Sequence, residues 1–337
     1  MTVLVLKYPK YTEKCCIFVE RHHDNTMKLR IFFISAISTL LCTSHVAYAQ
    51  PPVPDYVVFA GDTVRLDTGD LRERMDRELV TFCYMHTNST LMIKRANRYF
   101  PQIEPLLKVS GVPDDLKYLM VIESNVDPKA VSAAGAAGLW QFMKATAKEY
   151  GLVVNDEVDE RYNIEKETLA ACKYLKTAYA RYGDWMTVAA SYNAGQAGIS
   201  KRLSDQHQKS AMDLWMTEET SRYMFRILAA KIYFQTPAAF GFTFTAETLY
   251  PYIPPIEEVK VDGPIESLVD FAEKHGVSYY DLKRTNLWLR DSKLVNKEHN
   301  TYLIAIPDLE AEKYDPSKTE VHSRAWVRQA SFGLSRP

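Results

Sequence analysis

Apolar positions repeat every three to four residues through most of the chain, and β-like runs are few. Between Asp67 and Leu107, Leu71, Met75, Leu79 and Phe82 recur at helical spacing, followed less regularly by Leu91, Ile93, Ala96 and Phe100. Gly111-Val112-Pro113 ends that stretch. Pro113 with Asp114-Asp115 predicts a new helix start, because proline presets φ for the first turn and acids face the positive end of the helix dipole. Further helical runs span 140–150, 165–182, 184–193 and 219–235, and Thr236-Pro237 stops the last of them. The pattern predicts a mainly α (α+β) protein.

Breaks in the pattern divide the chain. Residues 50–109 form a Pro-rich, then β-like lead-in followed by helix, and residues 110–240 form the main helical region. The aromatic stretch 241–258, with Pro251, Pro254 and Pro255, reads as a linker. A smaller unit, 259–307, shows a short β run, a helix from Ile265 to His275, a second near Tyr280–Thr285 and a strand Tyr302–Ile306. The polar tail 308–337 is expected to be poorly ordered. Residues 1–49 read as a start-site extension plus a secretory signal. Lys28 and Arg30 precede an apolar run from Ile31 to Cys42, and Ala47-Tyr48-Ala49 has the small-x-small form of a cleavage site. The expected location is therefore beyond the inner membrane, in the periplasm or cell envelope.

Charge narrows the choice of partner. With 41 basic and 42 acidic side chains, the formal net charge is −1, so no basic excess exists to hold nucleic acid or an anionic membrane surface. Beyond residue 49 only Cys83 and Cys172 are present, which is no disulfide framework and fits two buried thiols. No Gly-rich phosphate loop, zinc-ligand spacing or nucleophile elbow occurs, and no metal or organic cofactor is suggested.

Three segments carry candidate chemistry. In the predicted helix 114–123, Leu116, Leu119, Met120 and Glu123 fall on one face, and Glu123 is its only carboxylate. Desolvation and the negative helix end both raise the pKa of such a group toward that of a glycosidase general acid. The helix alone fits a solvated glutamate at a frayed end as well. Next, Ser132–Gly138 has almost no side-chain bulk, so backbone there can approach a ligand, although a small-residue packing loop has the same composition. Trp140 and Gln141 follow at the expected start of a helix, Gln141 being able to donate and accept hydrogen bonds with a sugar. Last, Ala189–Gly195 places Tyr192 on an apolar helix face and Asn193-Ala194-Gly195 at a helix stop. Tyr223 lies on the last long helix, where taken alone a core tyrosine is the plainer reading.

Together these segments resemble the soluble lytic transglycosylase family of the lysozyme superfamily. The resemblance rests on Glu123-Ser124, Gly138-Leu139-Trp140-Gln141, Tyr192-Asn193-Ala194-Gly195, and Glu219-Thr220 with Tyr223, in order, over roughly 110–235. Arg98–Pro101, Gly111–Pro113 and Asp159-Glu160-Arg161 point within it to the membrane-bound lytic murein transglycosylase D type. The resemblance implies a goose-lysozyme-like helical fold. It also implies cleavage of the β-1,4 bond between N-acetylmuramic acid and N-acetylglucosamine in peptidoglycan glycan strands, leaving 1,6-anhydromuramoyl ends. Glu123 would act as acid and then base and Ser124 would orient it. Gln141 and Asn193 would bind substrate, and Tyr192 and Tyr223 would line the cleft. Departures are Ser191 before Tyr192, Asn163 where an acid is frequent, and Met224-Phe225-Arg226 after Tyr223. The unit 259–307 resembles a degenerate LysM module of βααβ form, with Ile265-Glu266 in place of the usual Gly-Asp. Two other functions stay open: a hydrolytic muramidase, for which Asp127 or Glu160 would be the second acid, and a non-catalytic peptidoglycan-binding protein. Peripheral membrane association and oligomeric state are left open.

Overall fold

The computed structural model describes residues 50–327 and two short N-terminal strands. These strands, β1 (Thr2–Val5) and β2 (Cys16–Val19), pair antiparallel with Thr2 opposite Val19. The expected signal segment and residues 328–337 lie outside the described residues. Among the described residues no helix is long and apolar enough to cross a membrane.

The body from Gln50 onward opens on a hairpin, β3 (Tyr56–Phe59) and β4 (Asp62–Arg65). Its two-residue turn, Ala60-Gly61, has φ of 53° and 95°, the positive values that a type I′ hairpin turn requires. Val57, Phe59, Val64 and Leu66 turn inward. The hairpin is tied to distant chain. The Ala60 N–H donates to Asp115 Oδ2 (2.7 Å), and Lys231 Nζ joins that same oxygen (2.6 Å) to the Val58 carbonyl (2.6 Å).

Helices then build the main core. α1 (Gly69–Tyr84) starts on the side-chain cap of Thr68, and α2 (His86–Val109) restarts directly after Met85. A 3₁₀ turn at Asp114–Leu116 leads into α3 (Lys117–Ser124), which ends where Asn125 takes the left-handed conformation (φ 53°). After α4 (Lys144–Glu149) come α5 (Ile164–Tyr182), α6 (Trp185–Ala194), α7 (Gln196–Asp205) and α8 (Glu218–Gln235). Asn163 caps α5 by accepting from the Lys166 N–H, so the residue standing where an acid is frequent still supplies the side-chain oxygen that the helix start needs. α6 is buried from Trp185 to Ser191, a centre against which α5, α7 and α8 pack. α8 also packs on α1 and α3.

The small C-terminal unit has the expected βααβ order: β5 (Glu257–Val261), α9 (Leu268–Lys274), α10 (Tyr279–Thr285) and β6 (Tyr302–Ile306). β5 and β6 pair antiparallel, Glu257 opposite Ile306 and Val261 opposite Tyr302. Ser267 and Ser278 cap the two helices through the N–H groups of Asp270 and Asp281 (3.1 Å each).

Four local expectations are corrected. The run 140–150 is helical only from Lys144, because Gly138 to Phe142 form a tight turn. Helix α7, begun by Gly195 and containing Gly198, was not anticipated. In the expected linker, Phe242, Phe244 and Leu249 are buried in the main core. The tail is ordered at least to Val327. Trp326 is buried, donates from Nε1 to the Phe234 carbonyl (2.7 Å), and meets the Phe100 and Phe234 rings edge-on. Cys172 is buried and Cys83 half-buried, and both are free thiols.

Candidate active site

Glu123 stands in the last turn of α3, whose remaining face is packed into the core by Leu116, Leu119 and Met120. α8 crosses α3 and brings Tyr223 to it, the hydroxyl donating to Glu123 Oε1 at 2.5 Å. Oε2 accepts no hydrogen bond among the described residues, and the side chain keeps partial exposure. Glu219, Tyr223 and Arg226 recur at i, i+4 and i+7 of α8 and so share the face turned toward Glu123. Burial pushes the Glu123 carboxyl up to about 7, outweighing the Tyr223 hydrogen bond and the Arg226 charge, which both lower it, while Glu219 adds a small push upward. Burial also pushes the Tyr223 and Tyr192 hydroxyls well up, so both stay protonated donors.

Ser124, expected to orient Glu123, makes no hydrogen bond to it among the described residues. Its hydroxyl is buried and donates back to the Met120 carbonyl (3.2 Å), and the side chain that bonds Glu123 is Tyr223. Tyr223 was expected only to line the cleft.

The bulk-free loop folds as a pair of narrow turns. Ala137 bridges both Val131 and Phe142, and Ser132 N–H donates to the Ala136 carbonyl (2.9 Å). Gly138 has φ +83°, and a methyl there would lie 1.7 Å from the Arg161 carbonyl oxygen and 2.5 Å from Glu167 Oε2, so only glycine fits. Gln141 itself takes φ 50°. Its Nε2 donates to the carbonyls of Gly138 (2.8 Å) and Ala130 (3.1 Å), which uses both amide protons and leaves Oε1 as its open group. Gln141 can therefore accept from a ligand hydroxyl or N–H, and the donating role expected of it is taken by the loop.

Trp140 anchors this turn from beneath. Its indole N–H donates to Thr168 Oγ1 (3.0 Å), its backbone N–H to Glu167 Oε2 (3.2 Å), and its carbonyl accepts from the Tyr192 hydroxyl (2.6 Å). Tyr192 thus backs the loop, with Phe142 and Tyr174 edge-on to its ring. Asn193 is half-buried in the last turn of α6, and its amide has no partner among the described residues, so it stays available to a ligand.

Two charged residues beside the candidate site were not singled out from sequence. Glu167 is fully buried under the Trp140 turn, and its Oε1 has no partner among the described residues. Burial pushes its carboxyl well above the ordinary range. In sequence it is one of two acids in the first turn of α5, indistinguishable from a solvated dipole partner. Arg226 was noted only as a departure. The two candidate second acids are committed elsewhere. Asp127 pairs with Arg95 (2.8 Å) and accepts from the Lys129 N–H (3.0 Å). Glu160 is buried, accepts from the Val153 N–H (2.7 Å) and pairs with Lys166. Among the described residues no three His, Cys, Asp or Glu side chains converge as a metal site would need.

Comparison with known proteins gives this geometry a class. Residues 103–214 match the Transglycosylase SLT domain, and residues 257–310 match the Soluble lytic transglycosylase C-terminal LysM-like domain. The chain therefore carries an SLT transglycosylase domain followed by a LysM-like domain. It is 28% identical over 253 residues to "Membrane-bound lytic murein transglycosylase D" of Escherichia coli strain K12, covering 72% of this chain and 54% of that protein. It is 34% identical over 122 residues to "Peptidoglycan transglycosylase gp16" of Escherichia phage T7, covering 35% of this chain and 9% of that one. The match to "Membrane-bound lytic murein transglycosylase F" of Saccharophagus degradans is 26% over 144 residues, 39% of this chain and 27% of the relative. The chain spans about half the length of the first of these relatives.

Proposed function

We propose that the protein is a peptidoglycan lytic transglycosylase of the cell envelope with Glu123 as its single acid/base residue. The observation that carries this reading is the setting of Glu123. One carboxyl is raised to about 7 by burial and held at one oxygen by Tyr223, while Asp127 and Glu160 are both consumed by ion pairs. Standard retaining and inverting glycosidases need a second free carboxylate. A reaction in which the substrate supplies its own nucleophile needs none.

In that reaction protonated Glu123 gives its proton to the glycosidic oxygen as the C1–O bond breaks. The muramoyl 6-hydroxyl attacks C1, and its proton passes to the Glu123 carboxylate, so the residue ends as it began and no water is consumed. A pKa near 7 suits both halves, since acid and base forms are both populated at neutral pH. The Tyr223 hydroxyl fixes the carboxyl and stabilises it while it is charged. Asn193 and Gln141 Oε1 are the polar groups left open to sugar hydroxyls and acetamido groups. Export across the inner membrane and action on periplasmic glycan strands fit the signal-like segment and the substrate.

Digestion of purified peptidoglycan with the protein, beside Glu123→Gln, tests the reading by the mass of the muropeptides. Anhydro products, lighter by one water than hydrolytic ones and absent with the variant, are expected. Products with reducing ends would identify a hydrolytic muramidase. Retention on the wall without any product would leave a binding protein and overturn the proposal.

A further inference from the structure

The C-terminal unit shares a core with the loop that carries Gln141. Ala137 of that loop, with Val158 and Tyr162 of the segment after α4, packs among Leu268, Leu282, Trp288, Leu289, Leu294, Tyr302 and Ile304. Backbone joins the same surfaces. Val158 bridges Leu289, Asp159 N–H donates to the Trp288 carbonyl (2.9 Å), and Arg290 N–H donates to the Glu157 carbonyl (2.7 Å). The Glu157 carboxylate accepts from the N–H groups of Val295 and Asn296, and the Arg290 guanidinium lies 4.6 Å over the Tyr162 ring. A module that only tethered the enzyme to its polymer would need none of this.

From that interface a single line of bonds reaches the candidate active site. Asp159 holds Arg161 with both carboxylate oxygens (Nε–Oδ1 2.9 Å, Nη2–Oδ2 2.7 Å). Arg161 Nη1 then donates to the carbonyls of Gly135 (2.8 Å) and Phe142 (3.1 Å), one on each side of the Gly138–Gln141 turn. Both charges are buried, so the pair keeps its geometry only while each partner stays in place. The loop itself has no bulky side chain between Ser132 and Gly138 with which to hold its own shape.

We propose that the LysM-like unit is a buttress of the active-site loop, with Asp159 and Arg161 as positioning residues that transmit its support to Gln141. The proposal rests on the transglycosylase reading for its kinetic readout alone. The unit is then part of the catalytic machine and acts on turnover more than on binding.

The test compares Leu289→Asp, which breaks the shared core from the C-terminal side, and Asp159→Asn, which keeps volume and removes the ion pair, in the full chain. Amide exchange is followed over 132–142, over 257–306 and over α1–α3. Turnover and KM are measured on short soluble peptidoglycan fragments. For Leu289→Asp, loop amides are expected to exchange about 10-fold faster, with α1–α3 unchanged. The kcat falls about 10-fold while KM stays within about 3-fold, since a loose loop costs alignment more than affinity. Asp159→Asn moves both readouts the same way by a smaller factor. Fast exchange confined to 257–306 with unchanged loop amides, or an Asp159→Asn chain indistinguishable from the parent, would overturn the proposal. If the parent cleaves nothing, the transglycosylase reading fails while the exchange data still decide this one.

Discussion

The Tyr223 hydroxyl lies 2.5 Å from Glu123 Oε1, joining two residues a hundred positions apart. This contact stabilises the charged carboxyl against the burial that disfavours it. Tyr223→Phe removes the donor and leaves the burial, so the Glu123 pKa rises further above 7. The midpoint of the pH profile of kcat/KM should move to higher pH. Although more of the enzyme is then in the acid form, kcat should fall about 10-fold because the carboxylate left after proton transfer loses its stabilising hydrogen bond. An unmoved midpoint would show that the hydroxyl does not touch the group that titrates.

Glu123 also links stability to pH. Its folded pKa is raised above the unfolded value, so the folded protein binds the extra proton, and stability falls as pH rises from about 4.5 through about 7. Glu123→Gln removes that term. Above pH 8 the variant should melt at higher temperature than the parent, by roughly 1–3 kcal/mol of added stability, and near pH 4 the two should coincide. Activity should fall by about 10²–10⁴ at every pH. Thermal melts across pH check the first statement and muropeptide release the second.

Glu167 predicts the same sign without the loss of chemistry. Its carboxyl is fully buried and pushed well up, so its ionisation as pH rises opposes folding. Glu167→Gln can still accept from the Trp140 N–H and cannot ionise. Melting temperature should fall less steeply with rising pH in this variant than in the parent, with turnover at pH 7 within about 3-fold.

Gly138→Ala tests the crowding under the loop. The added methyl meets the Arg161 carbonyl oxygen at 1.7 Å in a backbone conformation that alanine resists. Backbone must shift, so stability should fall by about 3 kcal/mol or more and activity should be lost with it. A melt within about 1 kcal/mol of the parent would mean that the loop is softer than its packing implies.

The C-terminal segment gives a fifth variant. Trp326→Ala leaves a cavity between Phe100 and Phe234 and unpairs the Phe234 carbonyl, at a cost of about 3–5 kcal/mol. Urea unfolding should show the loss as a lower midpoint, although the residue lies in a stretch that reads as solvated tail.

Where apolar spacing is regular and a cap precedes it, the fold was legible. α5 begins on Asn163 and ends at Gly183 as its pattern implies, and the βααβ order of the last unit follows from its short runs. The placing of Glu123 on the apolar face of its helix was legible from spacing, while its acid/base role was read from the motifs that resemble a known family and not from the helix alone. Direction was not legible. Neighbours on a helix point about 100° apart, so Ser124 cannot face what Glu123 faces, and a partner had to come from another helix. Gln141 shows the same limit: its positive φ and its bonds to Ala130 and Gly138 belong to a turn that its neighbours Trp140 and Phe142 disguise as a helix start. Trp326 was hidden because one aromatic among polar residues carries no period.

Asp115 and Lys231 tie the hairpin of β3 and β4 to chain far away in sequence. The hairpin is made early, yet its anchor at Val58 comes from a lysine 173 positions later, and Asp115 waits 116 positions for the same cation. Local pairing can give the turn at Ala60-Gly61 at once, but the two Lys231 contacts must wait until α8 has been synthesised. Such distant closures slow the search for the native state. A chain stopped short of residue 231 lacks the cation that joins Val58 to Asp115 and keeps only the Ala60–Asp115 bond and the apolar contacts of the hairpin.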